Sequence, residues 1–186
     1  MEYVFDFIWF CWLLSEILLN RLMRSKNTSP KELDKNSLRW ILLAIITSIT
    51  MGIMSTLVIS APFSHSHFVR FMGLFLIIFG MGFRFFSIRT LGKFFTVDLA
   101  VHGDHRLIKN GLYKYIRHPS YTGSLISFLG FGLTLNNWIG LIFILLPIII
   151  TFINRINIEE RMLIDQFGAE YEEYRKTTKR LIPWIY

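Results

Sequence analysis

Residues 117–160 read RHPSYTGSLISFLGFGLTLNNWIGLIFILLPIIITFINRINIEE. Two apolar runs, 122–135 and 138–153, are separated only by Asn136-Asn137. So short a connection predicts an antiparallel hairpin of helices. The start of the first helix then lies beside the end of the second, and Tyr121 and Arg155 are expected to be neighbours. Arg117 and His118 open the segment, and Arg155 and Glu159-Glu160 close it. Ionisable groups at the ends of membrane-length helices cost free energy and mark functional sites by default. Pro119 suits a first helical turn, where its missing N–H is no loss. A helix starting there points free N–H groups and its positive dipole end at the surrounding polar cluster, ready for a carboxylate.

Composition agrees with a membrane location. Of 186 residues 53% are hydrophobic, 18 are Phe, and only 18% are charged. That charged share falls below the quarter usual for soluble domains, and the mean hydropathy is +0.45. The formal charge of +7 points to loops beside apolar spans rather than to nucleic acid, because basic residues gather next to membrane segments. The single cysteine, Cys11, excludes an internal disulfide framework and a Cys-rich metal centre. It reads as a small apolar side chain. The first apolar run contains Asp6 and Glu16, lacks a basic leader and is followed by no small-residue cleavage site. It reads as a retained span rather than a signal peptide.

Working outward, hydropathy predicts an all-α integral membrane protein with about five transmembrane helices, at roughly 3–20, 40–61, 69–88, 120–135 and 138–154. The expected organisation is a single membrane domain over 1–186. Residues 1–88 form three amino-terminal spans. Residues 89–186 form the catalytic region. Lys and Arg cluster between spans one and two and after span three, whereas Pro62 to His67 carries neither. By the positive-inside rule the amino terminus lies outside and the carboxyl terminus is cytoplasmic. Gly73, Gly80 and Gly82 in span three suit close helix packing. The segment 89–117 is long for a connection and reads as a functional loop capping a cytosolic pocket. An amphipathic helix is expected over 158–175, interrupted by Gly168. Arg155 and Glu159 are four apart and share a helix face. They form either a surface ion pair, or a bidentate anion clamp with a carboxylate free for an ammonium group or ribose hydroxyls.

Residues 105–183 resemble the isoprenylcysteine carboxyl methyltransferase family of integral membrane methyltransferases. The pattern comprises His105-Arg106-Leu107-Ile108, Gly111-Leu112-Tyr113, Arg117-His118-Pro119-Ser120-Tyr121, Arg155, Glu159-Glu160, Leu163, Phe167-Gly168, Glu170-Tyr171, Tyr174 and Pro183. The resemblance implies S-adenosylmethionine as cofactor. It implies that His105, Arg106, Leu107, Ile108, Tyr113, His118, Pro119, Ser120, Tyr121 and Glu159 bind it, with Arg155 holding an acceptor carboxylate. Asp98 stands where eukaryotic family members have Gln.

The implied activity is methyl ester formation on a prenylcysteine-like substrate that enters from the bilayer among membrane lipids. Phospholipid amines, thiols and lipid-like phenols are alternative acceptors. A non-enzymatic transporter or assembly factor is the reading from a different class, with Asp6, Glu16 and Arg84 as its ionisable span residues. No metal site is expected, since His65-Ser66-His67 and His102…His105 lack a completing carboxylate–histidine cluster.

Overall fold

The computed structural model describes residues 2–22, 32–64, 66–92, 95, 106–183 and 185–186. Its helices are α1 (Glu2–Leu22), α2 (Glu32–Val58), α3 (Phe68–Leu91), α4 (Pro119–Thr134), α5 (Trp138–Phe167) and α6 (Ala169–Thr177), with a 3-10 turn at Gly111–Lys114. Among the described residues, three helical segments are long and apolar enough to cross a membrane: Asn36–Val58, Phe68–Leu91 and Trp138–Phe167. The chain is an integral membrane protein. The 16 residues of α4 reach only ~24 Å at 1.5 Å per residue, short of the ~30 Å hydrocarbon core.

Two helix pairs carry the packing. Along α3 and α4, Gly73 faces Gly130 and Gly80 faces Gly123. A Cβ on Gly73 would stand 2.6 Å from the Gly130 carbonyl, and one on Gly80 would stand 2.6 Å from the Gly123 carbonyl. The glycines are seven residues apart on both helices, so one antiparallel register satisfies both contacts. Close backbone approach is what drives association where lipid is as apolar as the side chains.

Along α2 and α5 the same rule gives a second register. Gly52 meets Gly140, a Cβ on Gly140 standing 3.1 Å from the Gly52 carbonyl. Buried Ser37, Ala44, Ser48, Gly52 and Ser55 form a small-residue face on α2. The buried side of α5 runs Gly140, Ile144, Ile148, Phe152, Ile156, Glu160, with Arg155 beside it. These positions recur every four residues, the ridge by which helices interlock.

The hairpin turn is tied to the rest of the chain by its asparagines. Asn137 accepts the Gly140 N–H at 2.9 Å and donates to the Ile59 carbonyl at 2.7 Å. Asn136 takes positive φ (50°) and donates to the Ser64 carbonyl at 2.8 Å. Asn tolerates that left-handed conformation better than most residues. Trp9 and Trp12 of α1 pack edge-on against Phe131 and Phe128 of α4, with ring centroids 5.1 and 5.0 Å apart.

Three expectations change. Gly82, expected with Gly73 and Gly80 to serve close helix packing, faces open space, an added Cβ meeting nothing within 4 Å. The fifth span does not stop near 154: α5 continues without a break for 30 residues to Phe167. The helix expected over 158–175 is therefore the carboxyl-terminal end of α5 followed by α6. Gly168, at φ 51°, makes the bend between them. The middle of the 89–117 loop, with Asp98, His102 and His105, lies outside the described residues, as does His65.

Candidate functional site

The polar residues bracketing the hairpin come together where α2, α4 and α5 meet. Tyr121, in the first turn of α4, donates its hydroxyl to Glu159 Oε2 at 3.1 Å. The same hydroxyl stands beside the Arg155 guanidinium, and its ring meets Phe152 edge-on at 5.1 Å. Arg155 is 1% exposed and donates through Nη1 to the Ser37 hydroxyl of α2. A row therefore runs Ser37, Arg155, Tyr121, Glu159. Of these, Ser37 escaped the sequence reading.

His118 lies between two carboxylates, with Nδ1 3.8 Å from Glu159 and Nε2 3.4 Å from Glu160. Glu160 is a hub. It accepts from Arg117 Nε at 2.9 Å, and its other oxygen accepts from Arg180 Nε and Nη2 at 3.1 and 2.8 Å. Arg117 also donates to the Thr178 carbonyl. The backbone closes the arrangement: the Arg117 N–H donates to the Lys179 carbonyl at 2.7 Å and that of His118 to Arg180 at 3.0 Å. The carboxyl-terminal tail is thus strapped to the residues that open α4. The sequence reading named Arg117 and Glu160 but gave neither a role, and it missed Arg180 and Thr178. The four-residue recurrence from Ile144 to Glu160 was the available signal that Glu160 points inward.

Ser120 is held from α3. Arg84 Nη1 donates to its carbonyl at 3.1 Å, to its hydroxyl at 3.0 Å and to the Ser124 hydroxyl at 2.7 Å. Glu16 of α1 balances Arg84 at 3.2 Å. Charge at that depth is tolerated because it is paired and hydrogen-bonded. The ionisable span residues therefore couple α1, α3 and the start of α4.

The remaining sequence-expected residues are distributed around this centre. Tyr113 is buried, its hydroxyl 3.5 Å from the Ser87 carbonyl, and its own carbonyl accepts from Tyr174 at 2.6 Å. Burial holds the phenols of Tyr113, Tyr171 and Tyr174 well above their ordinary pKa of 10.0. Leu107 and Ile108 are half-buried and Arg106 is exposed. Pro119 occupies the first turn of α4, where His118 makes no side-chain cap and no acidic residue is present.

Residues 68–170, more than half of the chain, match the family model described as phospholipid methyltransferase. Over 120 residues the chain is 36% identical to a probable protein-S-isoprenylcysteine O-methyltransferase of Oryza sativa subsp. indica, a match covering 63% of each protein. It is 36% identical over 116 residues to the protein-S-isoprenylcysteine O-methyltransferase of Saccharomyces cerevisiae, covering 61% of this chain and 48% of the relative. Both matches span less than two thirds of the relative's length. The solved structure of a eukaryotic intramembrane Ras methyltransferase, isoprenylcysteine carboxyl methyltransferase, superposes with a TM-score of 0.64 at 30% identity. That superposition covers 77% of this chain and 52% of the other.

Proposed function

Because the chain belongs to the phospholipid methyltransferase family, we propose that it is an S-adenosylmethionine-dependent membrane methyltransferase that esterifies the carboxylate of a prenylcysteine-like acceptor. The observation that carries this reading is the row Arg155, Tyr121, Glu159, in which a buried cation and a carboxylate flank one phenol. Similarity to protein-S-isoprenylcysteine O-methyltransferases supports the choice of acceptor.

The donor set fits the cofactor. The first turn of α4 has no competing acidic side chain and no side-chain cap, so its N–H groups are disposed to receive a carboxylate. Glu159, held by Tyr121, offers an anion to an ammonium group or to ribose hydroxyls. Arg106, Leu107, Ile108, Tyr113, His118, Pro119 and Ser120 complete the proposed cofactor site, and the family resemblance adds His105, which lies outside the described residues. When bound, the cofactor supplies an electrophilic methyl group on a sulfonium.

Arg155 orients the acceptor carboxylate through a planar, permanently charged fork. That carboxylate is already ionised at pH 7, so no general base is required. The work of the protein is alignment and exclusion of water, and positioning alone supplies ~7–11 kcal/mol. The acceptor's lipid tail approaches from the bilayer and the cofactor from the cytosol. On this reading the whole chain is one membrane domain in which α1 and α4 complete five membrane segments. The amino terminus lies outside and the carboxyl terminus in the cytoplasm.

Radiolabelled methyl transfer to farnesylcysteine tests the proposal directly. Base-labile label on the acceptor is expected. Base-stable label confined to an amine, thiol or phenol acceptor would reassign the substrate. No incorporation into any of them by well-folded protein, together with no calorimetric binding of S-adenosylhomocysteine, would overturn the enzyme reading.

A further inference from the structure

Ser37 stands near the start of α2, 118 residues away in sequence from the guanidinium it touches. Its position follows from the helix register. Gly52 lies against Gly140, and counting fifteen residues back along α2 and fifteen forward along antiparallel α5 arrives at Ser37 and Arg155. The glycine contact that sets the helix spacing thus also delivers a hydroxyl to the cation. Both side chains are almost fully enclosed, Ser37 at 4% exposure and Arg155 at 1%.

A buried guanidinium has five donors in a rigid fork. In this fold Nη1 is engaged by Ser37, and the Tyr121 hydroxyl stands on the side facing Glu159. Two helices therefore fix the plane of the fork, α2 through Ser37 and α4 through Tyr121. A carboxylate is recognised bidentately only if that plane is fixed. Hydrogen bonds to charged groups are among the stronger ones in a fold, enough to set the orientation of an otherwise flexible side chain.

We propose that Ser37 is a positioning residue for acceptor recognition: it holds Arg155 in the orientation that receives the acceptor carboxylate, so that the start of α2 takes part in substrate selection. The inference rests on the assignment of Arg155 to the acceptor made above. It gives α2 a task that the family match does not reach, since that match begins at residue 68.

The test compares the full-length Ser37→Ala and Ser37→Thr variants with the unaltered chain, all in detergent, using farnesylcysteine and S-adenosylmethionine. Ser37→Ala is expected to raise the acceptor KM about tenfold, the change expected for one lost charged hydrogen bond. Its kcat should stay within about twofold, and S-adenosylhomocysteine binding by calorimetry should be unchanged. Ser37→Thr, which keeps the hydroxyl, should restore most of the KM. An unchanged acceptor KM in Ser37→Ala overturns the inference. So does a loss of S-adenosylhomocysteine binding equal to the loss of acceptor affinity, which would indicate a purely structural role. Failure of the unaltered chain to methylate any carboxylate acceptor would instead remove the reading of Arg155 on which the inference stands.

Discussion

Arg117 and Glu160, 43 residues apart in sequence, meet at 2.9 Å with side-chain exposures of 8% and 4%. The pair joins the start of α4 to the carboxyl-terminal part of α5, and Arg180 completes it from the tail. Removing one partner of a buried pair leaves an uncompensated charge, typically at a cost of about 3–5 kcal/mol. Glu160→Ala should therefore lower the thermal midpoint in detergent by many degrees. The double change Arg117→Met with Glu160→Leu should recover part of that loss. A single variant as stable as the unaltered chain would show that the hub contributes nothing to folding.

Glu159 and Arg155 should separate cleanly in function. Glu159→Ala is expected to weaken S-adenosylhomocysteine binding by about tenfold or more, following the loss of a charge-assisted contact. Arg155→Ala should leave that binding nearly intact and raise the acceptor KM. Calorimetry on both variants, paired with methyl-transfer kinetics, would expose an exchanged assignment as the reverse pattern.

The glycine contacts of α3 make a paired prediction. A Cβ at Gly80 would stand 2.6 Å from the Gly123 carbonyl, whereas at Gly82 nothing lies within 4 Å. Gly80→Ala should destabilise by about 1–3 kcal/mol through forced separation of α3 and α4. Gly82→Ala should be neutral or should stabilise by about 0.5–1 kcal/mol, since it removes a flexible residue from a helix interior. Equal thermal shifts for the two would contradict the proposed register.

Alkaline pH should unfold the region around Tyr113 and α6 first. Burial raises the phenol pKa values of Tyr113, Tyr171 and Tyr174 above 10.0. Their contribution to stability is thus fully present below pH 10. It is lost as pH rises from there through the folded-state values, because the unfolded chain then releases protons that the fold retains. Phenolate absorbance should show a set of tyrosines that titrates only together with unfolding. Replacing Tyr174 by Phe should remove part of that alkaline loss, although the hydrogen bond to the Tyr113 carbonyl goes with it.

Much of the architecture was legible because membrane helices announce themselves through runs of apolar residues. The apolar runs near 3–20, 69–88 and 120–135 lie within two or three residues of the helices α1, α3 and α4, and of these three α3 is long and apolar enough to cross a membrane. The two-asparagine turn alone places Tyr121 beside Arg155. The end of α5 was not legible in the same way. Past residue 154 the apolar run gives way to charged residues, so hydropathy ends the span while the backbone remains helical to Phe167. Only Gly168, with its left-handed φ, breaks the helix.

The site shows a similar division. Short-range pattern was enough to single out His118, Tyr121, Arg155 and Glu159, because their spacing about a proline-started helix and a tight turn is local information. Which of the two adjacent glutamates faces inward, which hydroxyl meets Arg155 and where Arg180 docks are questions of helix rotation and register. Those are decided by Gly52 against Gly140 and Gly80 against Gly123, contacts between residues that carry no chemistry themselves. The sequence by itself determined the helices, the hairpin and the kinds of polar group at its open end. The tertiary structure alone decided their partners, because in lipid the approach of two helices depends on small residues that can face more than one neighbour until all of them are packed.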